Sequence, residues 1–122
     1  ADAWAIALAC GLHATAILCI NNVRDRAGDA VAGKRTIPVR LGAVSGRIYL
    51  AALLVGAAVA WGAAACSHGG LWLACGLSAG GGVRLAVAVA LESGTALNRR
   101  LAQAALLELG CCALAVAGLR LV

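Results

Sequence analysis

Residues 3–20 read AWAIALACGLHATAILCI, and residues 21–47 read NNVRDRAGDAVAGKRTIPVRLGAVSGR. The first stretch is apolar throughout, broken only by His13 and Thr15. At 1.5 Å per residue, eighteen helical residues span about 27 Å, just enough for a hydrocarbon core of about 30 Å. The second stretch holds Arg24, Asp25, Arg26, Asp29, Lys34, Arg35, Arg40 and Arg47. A charge at the centre of a membrane helix costs about 2.5–3.5 kcal/mol, so a segment with eight of them stays outside the bilayer. The junction therefore predicts a membrane helix that delivers a polar segment to the membrane surface.

Composition carries the same message along the rest of the chain. Hydrophobic residues make up 63% and charged residues 12%, with a mean hydropathy of +0.95. That leaves too little polar surface to wrap a water-soluble globule. Phe and Met are absent, while Ala, Gly, Leu and Val dominate. Small residues suit helices packed closely in lipid. Three further apolar runs, residues 48–66, 71–91 and 101–119, complete an all-α transmembrane chain of about four spanning helices. The six cysteines lie in or beside these runs, with no C-x-x-C pair and no histidine at metal-ligand spacing. They read as apolar packing residues, and free thiols suit loops that face a reducing compartment.

The connections assign the sides. Residues 21–47 hold six Lys and Arg, residues 67–70 none, and residues 92–100 two. The positive-inside rule then places 21–47 and 92–100 in the cytoplasm, with 67–70 and both chain ends opposite. Trp4, Trp61 and Trp72 fall near the opposite ends of their spans, where an aromatic belt is expected. Arg84 interrupts the third span. It is expected to snorkel to the cytoplasmic surface, with a bend at Gly80-Gly81-Gly82 and residues 85–91 along the interface. Gly76 with Gly80, and Gly56 with Ala60, read as close helix contacts.

Asp25 and Asp29 are four residues apart. If the first helix continues past Ile20 they share one face, and Asn21 joins the stripe. Two carboxylates at that spacing repel, and a hard divalent cation reverses the sign of the interaction. Mg²⁺ binds through one or two carboxylates together with substrate phosphates. The basic residues around them suit the remaining phosphate oxygens. The plain alternative is a solvated loop, basic only because topology demands it; it does not explain the paired aspartates or the neighbouring asparagines.

The pattern Asn21-Asn22-x-Arg24-Asp25-x-x-x-Asp29-x-x-x-Gly33-Lys34-Arg35-Thr36, followed by Val39-Arg40-Leu41-Gly42, resembles the second aspartate-rich motif of the UbiA superfamily of intramembrane prenyltransferases. Within it, the pattern is most similar to the branch that prenylates 1,4-dihydroxy-2-naphthoate in menaquinone synthesis. The likeness covers the whole chain but only the C-terminal half of that family's nine-helix bundle. It implies a multi-pass protein of the cell inner membrane with the motif on the cytoplasmic side. It also implies that Asp25 and Asp29, with Asn22, hold Mg²⁺ on a polyprenyl diphosphate, and that Arg24, Lys34 and Arg40 contact the diphosphate. The acceptor it implies is 1,4-dihydroxy-2-naphthoate, and the partners are substrate, membrane lipid and the N-terminal half of the same protein, with no nucleic acid.

Family members carry a first motif of N-D-x-x-D type, and nothing here matches it. The only other aspartate is Asp2. The chain begins with Ala1, with no signal-peptide pattern, and is expected to be a fragment that is inactive alone. Two rival classes stay open: a non-enzymatic membrane protein with a lipid-docking basic loop, and a relative that acts on another aromatic acceptor. CDP-alcohol phosphotransferases carry a D-G-x-x-A-R opening that is absent here. His13 is expected to hydrogen-bond to a neighbouring helix, Asn98 and Thr95 to cap the last one. Glu108, an acid at membrane depth, is a functional suspect outside the motif.

Overall fold

The computed structural model describes residues 2–120, without the side chain of Asp2, so the aspartate at the chain start lies outside what is described. Six helices follow one another: α1 (Asp2–Arg24), α2 (Arg26–Val31), α3 (Ile37–Leu41), α4 (Ala43–Ser67), α5 (Trp72–Leu91) and α6 (Leu97–Arg120). Single 3₁₀ turns at Gly69–Leu71 and Gly94–Ala96 lead into α5 and α6. Four of the helices, α1, α4, α5 and α6, are long and apolar enough to cross a membrane. The chain is a multi-pass membrane protein.

These four pack as a ring, with α1 against α4 and α6, and α5 closing the side between α4 and α6. Two layers of side chains fill it. Ala16, Ile20, Leu50, Leu85 and Leu97 pack at the end that carries the motif. Ala9, Ala64, Leu71, Cys111 and Ala115 pack at the other end, around Trp61. Lipid is as apolar as leucine, so burial supplies little drive here and close van der Waals packing holds the ring. Alanine and glycine allow it. At the end opposite the motif, Gly70 and Gly118 touch backbone to backbone, and a Cβ on either would overlap the other's carbonyl oxygen.

Several local expectations change. Trp4 and Trp72 are exposed, as a belt requires, but Trp61 is fully buried. Its position on α4 faces the ring, and sequence depth alone could not distinguish that face. α5 is one helix from Trp72 to Leu91 with no break at its glycines, and Leu85 and Val89 lie in the core rather than along an interface. Gly76 and Gly80 meet no neighbour. The close contacts on α5 are at Gly81 against Leu107 and Gly82 against Leu54. Gly56 does pack tightly, against Leu12. His13 donates or accepts at Ser78 Oγ, 3.0 Å away, joining α1 to α5 through the middle of the ring. The described cysteines are all free.

Residues 21–47 are mostly helical. α1 runs on through Arg24, and α2, α3 and the start of α4 take up much of the remainder. Arginine and aspartate do not oppose helix once the helix has left the hydrocarbon. The reversals fall at Gly33 (φ +72°) and Gly42 (φ +92°), where only glycine is unstrained. Gly46 at the foot of α4 lies against Pro38 and Val23, where a Cβ would come within 2.8 and 2.9 Å. That close approach presses α3 onto the end of α1.

Candidate active site

The helical ladder of α1 carries into α2 almost unbroken. The Asp25 N–H donates to the Asn21 carbonyl at 2.9 Å, and the Asp29 N–H to the Asp25 carbonyl at 2.8 Å. Asp25 and Asp29 therefore stand one turn apart on one face. Asp29 is buried, and the Asp25 side chain is 39% exposed. Beyond α2 the Gly33 turn brings the chain back, so that the Lys34 N–H reaches the Asp29 carbonyl at 2.9 Å. The Lys34 ammonium then meets Asp29 Oδ1 at 2.7 Å.

Arg24 organises the other carboxylate. Its Nε and Nη2 donate to the two oxygens of Asp25, each at 2.7 Å. Nη2 also donates to Asn21 Oδ1 at 2.6 Å, and Nη1 to Asn98 Oδ1 at 2.8 Å. The hydrogen bonds from Arg24 hold the Asp25 carboxyl below its ordinary range. They outweigh the opposing effect of partial desolvation, and the charges of Arg24 and Lys34 add to them. Lys34 is held above the ordinary lysine value, chiefly by its hydrogen bond to Asp29. Asp25 is thus ionised and Lys34 protonated near neutrality.

Arg26 donates from Nε to the Pro38 carbonyl at 2.8 Å, which fixes α3 beside α2. Arg40 and Arg35 are exposed and, among the described residues, their guanidinium groups make no hydrogen bond or ion pair. They are free to meet an anion. Asn22 lies one position round the helix from Asn21 and lines a cavity of about 160 Å³ with Thr15, Cys19, Pro38 and Tyr49. The structure thus draws Asp25, Asp29, Arg24 and Lys34 into one cluster, while Arg40 stands exposed on α3 and Asn22 lines a cavity that none of the four lines.

Two residues meet Arg24 in a way that their sequence reading did not anticipate. Asn21 carries an arm of Arg24, and Asn98 carries another from α6. Asn98 reads as a cap, and it is instead the second residue of α6, facing α1. The available signal was its place just before a span whose start lies on the same side as the motif. Nearby, Arg47 Nη2 donates to the Glu92 carbonyl at 2.9 Å, and Arg100 Nε to Glu92 Oε2 at 2.9 Å.

The donor set fits a hard divalent cation. Carboxylates and side-chain amide oxygens are its ligands, and the ammonium on Asp29 is a cation already standing where that ion's charge is favoured. Among the described residues no third acid, histidine or cysteine completes a cage. Two carboxylates without a full protein cage are what Mg²⁺ sites completed by substrate phosphates offer.

Comparison with known proteins agrees with this geometry. The chain is 57% identical over 53 residues to 1,4-dihydroxy-2-naphthoate octaprenyltransferase of Escherichia coli (strain K12), a stretch covering 43% of this chain and 17% of that protein. It is 53% identical over 55 residues to the protein of the same name from Haemophilus influenzae (strain ATCC 51907 / DSM 11121 / KW20 / Rd), covering 45% of this chain and 18% of that one. The matched stretches are therefore less than a fifth of either relative. No solved structure matches the chain. The profile of the UbiA prenyltransferase family matches residues 1–118. With nearly its full length matched, the chain belongs to the UbiA prenyltransferase family.

Proposed function

We propose that the protein carrying this chain transfers a polyprenyl group from polyprenyl diphosphate to 1,4-dihydroxy-2-naphthoate, with loss of CO₂, to give demethylmenaquinone at its quinol level. The observation that carries the reading is the pair Asp25 and Asp29, one turn apart at a membrane edge and each opposed by a cation. The naphthoate acceptor is supported by the names of the two relatives. The segments that those relatives have and this chain does not match would supply the remaining ligands and helices. In this reading the motif end of the ring faces the cytoplasm from the inner membrane, as the Lys and Arg distribution supports.

Asp25 and Asp29, with Asn22, would hold Mg²⁺. The ion, when bound, supplies charge to stabilise departing diphosphate. Arg24, Lys34 and Arg40 bind phosphate oxygens, and Lys34 can turn from Asp29 toward them on its flexible stem. The allylic C–O bond breaks and its electron pair leaves with the diphosphate. The ring carbon bearing the carboxylate bonds to the allylic carbon, and the C–CO₂ electron pair restores the aromatic ring. Charges held around the leaving group lower this barrier.

The test is substitution in the complete protein. Asp25→Ala and Asp29→Ala should each abolish prenyl transfer measured with radiolabelled polyprenyl diphosphate. Full activity in either variant refutes the metal assignment. Transfer to a monocyclic hydroxyaromatic acid in place of the naphthoate would keep the chemistry and overturn the acceptor.

A further inference from the structure

We propose that the cleft between α5 and α6 binds an anionic phospholipid, with its phosphate on Arg84 and an acyl chain along Leu77 and Leu106. The cleft encloses about 740 Å³, and no residue of α1, α2 or α3 lines it. It is separate from the aspartate cluster and independent of the reaction proposed above.

Arg84 is an exposed cation within an otherwise apolar membrane span. Among the described residues its guanidinium makes no hydrogen bond or ion pair. The acid nearest in the cleft, Glu92, is already engaged: Arg100 donates to both of its oxygens, and Arg99 lies 3.7 Å away. Glu108, the acid within α6, forms no ion pair with Arg84. The cleft lining therefore carries two cations, Arg84 and Arg100, against one carboxylate, and Arg100 is the one that engages it. An uncompensated charge at membrane depth calls for a partner.

Shape points to an amphiphile. The polar end, with Arg84, Glu92 and Arg100, lies at the motif end of the ring, and the walls below it are leucine and glycine. Arg84 stands seven residues before Leu91, about 10 Å along the helix, within reach of the headgroup level for a long side chain. Gly81 lets Leu107 sink against α5 and leaves the wall hollow. Basic pockets between membrane helices at the membrane face are sites for anionic headgroups. A soluble anion would leave the leucine wall uncovered.

The experiment compares melting of the complete protein in detergent micelles doped with phosphatidylglycerol or with phosphatidylcholine. Phosphatidylglycerol should raise the melting temperature selectively in wild type and in Arg84→Lys. It should lose that selectivity in Arg84→Leu, with one fewer anionic lipid retained in native mass spectra. Arg35→Gln, which removes an exposed cation outside the cleft, should keep it. Equal selectivity in wild type and Arg84→Leu overturns the proposal. So does an equal loss in Arg35→Gln, which would mark general surface charge, or a full effect from inorganic phosphate alone. Should Arg84→Leu fail to fold, Arg84→Gln supplies the same comparison.

Discussion

Arg24 lays Nε and Nη2 on the two oxygens of Asp25 while its Nη1 donates to Asn98 Oδ1, so one guanidinium ties the motif to α6. Its fork is specified at three points, and a freely rotating cation would meet a diphosphate less often in the right geometry. Asn98→Ala should raise the KM for polyprenyl diphosphate several-fold, and Arg24→Lys, which cannot form the fork, should raise it further. Steady-state rates at varied diphosphate concentration check this. An unchanged KM in Asn98→Ala would show that α6 does not position Arg24.

In the proposed site a divalent cation would compete with Lys34, which already holds Asp29 Oδ1. Lys34→Met should therefore strengthen Mg²⁺ binding in the absence of substrate, seen by calorimetry, while weakening diphosphate binding in kinetics. Opposite signs in the two measurements are the signature. A parallel loss of both would mean that the ammonium only shapes the loop.

The Glu92 carboxyl is held below its ordinary range by hydrogen bonds from Arg100, against partial desolvation. A depressed folded-state value stabilises the fold above the unfolded carboxyl pKa, and the contribution is lost as pH falls through the folded value. Wild type should thus melt above Glu92→Gln at pH 7. The gap should shrink as the pH drops below about 4. A gap constant across that window would assign the effect to packing.

The Gly70–Gly118 contact leaves no room for a methyl group, and Gly76 meets nothing. Gly118→Ala should cost about 1–3 kcal/mol, the usual penalty of overpacking. Gly76→Ala should be neutral or stabilising, since alanine is the better helix former by about 0.8–1 kcal/mol. Unfolding of the two variants in mixed detergent micelles ranks them.

Much of the site was legible because its elements are local. The spacing of Asp25 and Asp29 places them on one face in any helix, and the charges of residues 21–47 exclude that segment from lipid whatever the fold. Asn98 was not legible as a partner of Arg24, since the two are far apart in sequence and meet only when α6 returns beside α1. Trp61 and Gly81 were misread for a related reason. In lipid both the inward and outward faces of a helix are apolar, so periodicity hardly marks which one packs.

The sequence by itself determined that the chain spans the membrane several times and that Asp25, Asp29 and the basic residues of 21–47 gather at one membrane edge. Those conclusions rest on transfer energies and helix geometry, which act residue by residue. The tertiary structure alone decided the ring order of the helices, the pairing of Arg24 with Asp25 and Asn98, and the capture of Glu92 by Arg100 that leaves Arg84 unpaired. Such choices depend on close packing between distant segments, and hydropathy cannot encode them when lipid and protein interior are equally apolar.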